Sequence, residues 1–234
     1  MDVNPISMKR VYQSIIEQFI DLIKAEKLSV GQKLPPERQL AEMFSVSRAS
    51  LREALRVMEI IGLVEVRPGG GTFVTDLNIV NFINTIAPLF VKTADMEKDL
   101  LEFRKLIEME AVKLAAEKAA EGKLTQLEKS IDLMKKAVES NDVTMEAEAD
   151  VQFHKAIFAL TDNYILIKAS ECIVSILEIS VRYSRQKILG NKEVSNNLLT
   201  QHIEIYEAIR SNETEKASAL INKHLGYIKE IFQT

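Results

Sequence analysis

Between Leu34 and Val74 the residues that start, stop and turn a chain fall in an order that leaves little choice of fold. Pro35 and Pro36 supply the φ of a first helical turn, and Glu37 suits the positive end of the helix behind them. A short helix is therefore predicted from Glu37 to Phe44, with Leu40, Ala41 and Phe44 inward. Ser45-Val46-Ser47 interrupts it. Ser47 is a good N-cap, and Leu51, Ala54, Leu55 and Met58 recur at helical spacing until Gly62 offers a residue that can leave a helix at positive φ. This predicts a second helix over Arg48–Ile61. Leu63–Arg67 and Thr72–Val74 read as two strands joined through Pro68-Gly69-Gly70-Gly71. The order is that of a winged helix-turn-helix; the bland alternative is a helical hairpin with a surface β-ribbon. A P-loop is excluded because no Lys-Ser or Lys-Thr follows the glycines.

A helix that begins after a tight turn aims its first residues outward, here Arg48, Ala49, Ser50 and Arg52. In a helix-turn-helix those positions face base edges and phosphates in the major groove, and a glycine-rich wing lets backbone approach a phosphate or a minor groove. The stretch resembles the N-terminal domain of the GntR family of bacterial transcription regulators. The residues that carry the likeness are Leu34-Pro35-Pro36-Glu37-Arg38-Gln39-Leu40-Ala41, Val46-Ser47-Arg48, Leu51-Arg52-Glu53-Ala54-Leu55 and Gly71-Thr72-Phe73-Val74. The resemblance implies contact with double-stranded DNA by Arg38, Ser47, Arg48, Ser50, Arg52 and the wing around Gly69.

A net charge of −4 argues mildly against a DNA-binding protein. Residues 1–76, however, carry ten basic and ten acidic side chains, so the acid excess lies in the remainder. Arg38, Arg48, Arg52 and Arg67 gather on the predicted reading surface, and local distribution governs phosphate contact more than the total. A near-neutral domain with a small basic face is expected to bind tightly only as a homodimer on a palindromic operator. The single cysteine rules out an internal disulfide and fits a reducing cytoplasm. No run is apolar enough for a membrane span, and no signal-peptide pattern opens the chain, so a cytoplasmic protein is expected.

Ahead of the motif, Val11, Ile15, Phe19, Leu22 and Ile23 predict a helix from about Met8 to Lys27, packed behind the reading helix. Met1–Ser7 reads as a tail, and Lys9 and Arg10 as solvated charges. After Val74 glycine becomes rare and strand-like alternation disappears. Helical patterns run over about Ile79–Val91, Met96–Ala120, Thr125–Glu139, Thr144–Leu160, Tyr164–Ile188, Val194–Arg210 and Glu213–Phe232, separated by capping residues such as Ser140-Asn141-Asp142, Thr161-Asp162-Asn163 and Ser211-Asn212. The expected fold is mainly α: a winged helix-turn-helix over 1–76 and an antiparallel all-α bundle over 77–234.

What interrupts the apolar stripes of the bundle is informative. The helix from Thr144 reads Ala147, Asp150, Val151, His154, Ile157 and Phe158; the helix from Val194 reads Val194, Leu198, His202, Ile205 and Ile209; the last reads Ala217, Leu220, His224, Ile228 and Ile231. All three histidines of the chain are thus inward, joined by one aspartate. A lone inward histidine is more often a hydrogen-bonded core residue than a ligand. Four together are harder to dismiss, since burying each without a partner costs roughly 1–3 kcal/mol. A divalent metal ion satisfies Asp150, His154, His202 and His224 at once, and this N/O set suits Zn, Ni, Mn or Fe.

This half resembles the FCD effector domain of the FadR-type branch of the GntR family, through Phe103-Arg104-Lys105-Leu106-Ile107-Glu108, Asp150-x-x-x-His154, Gln201-His202-x-x-x-Tyr206-x-Ala208-Ile209 and His224-Leu225. The resemblance implies a metal binder that senses a small organic acid. Arg104 lies on the inward stripe of its own helix, where a guanidinium needs an anion: the alternatives are an internal pair with Glu108 one turn on, snorkelling to solvent, or an effector carboxylate. Arg182 and Arg185 read as surface charges. The expected function is a metabolite-responsive transcription regulator and not an enzyme. The alternatives are a metal-dependent hydrolase with an accessory DNA-binding domain, since such a site can activate water, and a regulator whose metal is purely structural.

Overall fold

A computed structural model of the chain describes residues 11–77, 82–83, 96–119, 124–172, 174 and 191–233. The chain divides into two compact units, Met1–Thr85 and Ile86–Thr234. All of the predicted helix over 79–91 except residues 82–83, the tail with Lys9 and Arg10, and Arg182 and Arg185 lie outside the described residues, as does most of the predicted helix beyond 172.

In the first unit, α1 (Val11–Lys24) ends three residues before the predicted Lys27. The cause is local: Glu26 turns into the left-handed region at φ 55°, and Lys27 donates its backbone N–H to the Leu22 carbonyl at 2.9 Å, a closure that ends a helix. Its buried stripe starts at Ile15 rather than at Val11, which is half exposed. Helix α2 (Glu37–Met43) and helix α3 (Arg48–Ile60) flank a turn in which Ser45 takes φ 53°. Ile15 and Phe19 of α1, Leu40 and Ala41 of α2, and Leu51, Ala54, Leu55 and Met58 of α3 form one core, with Phe44 stacked on Phe19 at 5.4 Å between ring centres.

Strands β1 (Val64–Arg67) and β2 (Gly71–Val74) pair antiparallel, Val64 opposite Val74 and Arg67 opposite Gly71. The Gly70 N–H closes the turn onto the Arg67 carbonyl at 2.9 Å, with Pro68 and then Gly69 at φ 71° between them. That is the type II arrangement, which needs positive φ at its third position. Residues 31–34 run along the other edge of β2, with the Leu34 N–H on the Thr72 carbonyl at 2.8 Å. The winged helix-turn-helix predicted from the punctuation is present.

The second unit is helical: α4 (Met96–Glu117), α5 (Thr125–Ser140), α6 (Val143–Leu160), α7 (Lys192–Arg210) and α8 (Thr214–Gln233), with residues 164–172 also helical. Asn141, Asp162 and Asn212 adopt left-handed φ of 54°, 50° and 56° at the predicted breaks, a conformation Asn and Asp tolerate best after glycine. Asp142 and Asn191 then cap α6 and α7, each accepting from the first backbone N–H groups of its helix. The core combines Ala111, Val112 and Ala115 of α4 with Leu127 and Ile131 of α5, Phe153 and Ile157 of α6, Ile205 and Ile209 of α7, and Ile221 and Leu225 of α8. Helix α6 buries a wider face than the stripe predicted, adding Ala149, Phe153 and Ala156, because it packs on both α5 and α4.

Candidate metal centre and nucleic-acid interface

The three histidines arrive from three helices: His154 on α6, His202 on α7 and His224 on α8, each buried, with Asp150 one turn before His154. One ligand atom from each of the four lies within 4.8 Å of all the others. Ring centres stand 4.4 Å apart for His202 and His224, and 5.6 Å apart for His154 and either of them. Phe153, fully buried, meets the His202 ring edge to face at 4.7 Å and closes one side. The predicted set is assembled in space.

The outer nitrogen of each ring decides what the inner one can do. His202 Nδ1 lies 2.7 Å from the Leu198 carbonyl, which can only accept, so Nδ1 carries a proton and Nε2 is the nitrogen turned to Asp150. His224 Nδ1 lies 2.9 Å from the amide oxygen of Gln201. His154 Nδ1 approaches Glu108 Oε2 at 2.7 Å, a short contact that lacks hydrogen-bond alignment. The three Nε2 atoms are buried and have no hydrogen-bond partner, while His202 Nε2 sits 3.2 Å from Asp150 Oδ1 and His154 Nε2 sits 3.8 Å from it. As neutral Nδ1–H tautomers the rings present Nε2 lone pairs toward the carboxylate, an arrangement that a cation among them satisfies. Burial, and then the neighbouring His202 and His154, hold the His224 pKa well below the ordinary histidine range, so that ring does not supply a proton. The donor set therefore fits a divalent cation, which Asp150, His154, His202 and His224 could hold, with contacts behind the rings of the kind metal-ligating histidines need.

Arg104 is buried on α4 and its Nε donates to Glu108 Oε1 at 2.5 Å, so of the two anions open to it, Glu108 is the one beside it. Burial alone would raise the Glu108 pKa, but the Arg104 guanidinium and then the neighbouring His154 hold it down to about 2.

On the first unit, Arg48 opens α3 and is exposed, followed by Ala49, Ser50 and Arg52. Ser47 caps the helix, accepting from the Ser50 N–H at 3.0 Å, with the two hydroxyls 2.9 Å apart. Arg52 Nε donates to Glu37 at 2.7 Å and Arg38 Nε donates to Glu42 at 3.2 Å. Gly69 is exposed at the tip of the wing. Arg67 pairs with Glu65 at 2.9 Å and lies over the Phe73 ring at 4.4 Å.

Sequence reasoning missed the cross-helix partners Gln201 and Glu108 of the histidines, which no spacing along one helix reveals. The Leu198 carbonyl, one turn before His202, was within reach of helical geometry.

Residues 11–74 match the family described as bacterial regulatory proteins, gntR family, and residues 99–227 match the FCD domain. The HTH-type transcriptional regulator LutR of Bacillus subtilis is 32% identical over 90% of this chain and 95% of its own length. The chain belongs to the GntR family. An Escherichia coli relative named "Putative L-lactate dehydrogenase operon regulatory protein" is 33% identical, over 94% of this chain and 85% of its own. The solved structure of Streptococcus agalactiae GntR matches with a TM-score of 0.72 at 27% identity, covering 94% of this chain and 99% of that one. This GntR-family chain is a DNA-binding transcription regulator with an FCD domain. Its relatives are named as regulators rather than enzymes, which sets the hydrolase alternative aside. Among the described residues no helix is long and apolar enough to cross a membrane.

Proposed function

We propose that residues 77–234 hold a divalent cation, Zn, Ni, Mn or Fe, on Asp150, His154, His202 and His224, and bind a small organic acid there. The acid in turn modulates operator binding by residues 1–76. The observation that carries this reading is the gathering of three buried histidines, whose Nε2 atoms make no hydrogen bond, with Asp150 so that one ligand atom from each lies within 4.8 Å of the others. The cation supplies the positive charge that draws an anion into an otherwise apolar bundle. Arg104, buried nearby in the chain of contacts through Glu108 and His154, adds a second cationic group for the far end of a carboxylate. The name of the Escherichia coli relative, which refers to an L-lactate dehydrogenase operon, supports a hydroxy acid of that size.

Operator contact falls to Arg38, Ser47, Arg48, Ser50, Arg52 and the backbone at Gly69, each used twice by a cytoplasmic homodimer on a palindromic site. The effector acts by favouring one arrangement of the dimer over another, and the coupling is reciprocal: operator binding changes effector affinity by the same factor. The test is operator binding by protein purified without chelator, titrated with L-lactate and with other small carboxylates, before and after removal of metal. A shift that requires both metal and carboxylate is expected. Stability that rises with metal while no carboxylate alters operator binding would mean that the ion is structural. Arg48→Ala should keep the fold and lose specific operator binding; undiminished affinity would sink the assignment of the reading helix.

A further inference from the structure

Of the three ligand histidines, two rest their outer nitrogen on neutral oxygens, the Leu198 carbonyl and the Gln201 amide. His154 alone faces a carboxylate, and that carboxylate is itself gripped from the other side. Glu108 Oε1 accepts from Arg104 Nε at 2.5 Å, while Oε2 lies 2.7 Å from His154 Nδ1. The Arg104 and Glu108 side chains are each 3% exposed. Glu108 contributes no atom to the group of four that could hold the ion.

We infer that Glu108 is the positioning residue for His154: clamped by Arg104 through one oxygen, it fixes the imidazole as the Nδ1–H tautomer and so turns the Nε2 lone pair to the cation. This deepens the metal-site reading and rests on it. The physical reason lies in the two ends of the carboxylate. Both oxygens accept, so both neighbours must donate: the guanidinium always can, and the imidazole can only with its proton on Nδ1. A carboxylate behind a ligating histidine also raises the basicity of the ring, and outer partners of this kind typically affect metal affinity 10- to 100-fold.

The decisive variant is Glu108→Gln. The amide has one oxygen, and Arg104, which has no acceptor, claims it. The NH2 then faces His154 Nδ1 and requires a lone pair there. That selects the opposite tautomer, with the proton on Nε2, where it blocks the metal. The experiment measures Zn2+ and Mn2+ affinity by chelator competition on the full chain for wild type, Glu108→Gln and His224→Ala. In parallel, the 15N shifts of His154 are recorded in metal-free protein. The expected results are a 10- to 100-fold loss of affinity in Glu108→Gln, and a His154 signature of Nδ1–H in wild type that moves to Nε2–H in the variant. Affinity within twofold of wild type in Glu108→Gln, with binding lost in His224→Ala, overturns the role of Glu108 and leaves the metal site standing. No binding by wild type overturns both. If Glu108→Gln does not fold, the wild-type spectrum still decides: a His154 Nδ1 without its proton overturns the inference.

Discussion

Arg52 meets Glu37 at 2.7 Å on the reading surface, and Arg104 meets Glu108 at 2.5 Å inside the bundle. The first pair is 55% and 41% exposed, the second 3% on each side. The chemistry is the same and the consequences are opposite. In water an arginine loses little when it leaves one anion for another, because exposed pairs contribute only about 0–1 kcal/mol. Glu37 and Glu42 hold the Arg52 and Arg38 guanidinium groups in the free protein, and under the proposed operator contacts they release them to DNA phosphates. In the bundle no water stands in for a lost partner. Arg104, Glu108 and His154 form a linked set whose members are placed by one another.

The comparison can be broken most directly at Arg104. Arg104→Ala leaves the Glu108 charge buried without its main partner, and denaturant unfolding should show a loss of about 3–5 kcal/mol. A loss under about 1 kcal/mol, the range of a surface pair, would erase the distinction between the two regions. Metal addition sharpens the same contrast: at a free ion concentration of about 100 times Kd, thermal or chemical unfolding should report a gain of about 2.7 kcal/mol, reversed by chelator. An equal gain in Asp150→Ala would place the ion elsewhere.

A smaller effect is expected from acid. Burial, with His202 and His154 as neighbours, lowers the folded-state pKa of His224 well below its usual value. The unfolded chain takes up that proton near pH 6.5 and the folded chain does not. Stability of metal-free protein should thus be intact above about pH 6.5 and fall below it, by up to about 1.4 kcal/mol per pH unit for this one group. Urea unfolding at neutral and mildly acidic pH measures the slope, and a flat profile would contradict the buried neutral ring. The smallest change should come from Glu37→Gln: stability altered by less than about 1 kcal/mol, with operator binding unchanged or tighter by fluorescence anisotropy. Weaker binding would show that Glu37 orients Arg52 rather than merely sheltering it.

The first unit was legible because its determinants are local. Proline, a serine cap, Gly62 and the Pro68-Gly69 turn act on their own backbone, and the elements they imply differ from the structure by a residue or two. The exception is α1, where the stop lies in a non-glycine left-handed residue, Glu26, that no composition signal marks. In the bundle, polar interruptions of apolar stripes identified Asp150, His154, His202 and His224, since burial of a polar side chain demands a partner wherever it occurs.

The sequence by itself determined that the three histidines turn inward and, the end of α1 excepted, where most helices begin and end, because helical periodicity and capping are properties of short stretches. Only the tertiary structure decided who partners whom. Phe153 against His202, Gln201 on His224 and Glu108 against His154 are contacts between helices. Their distances depend on how the helices pack, which the spacing of residues along any one of them does not contain.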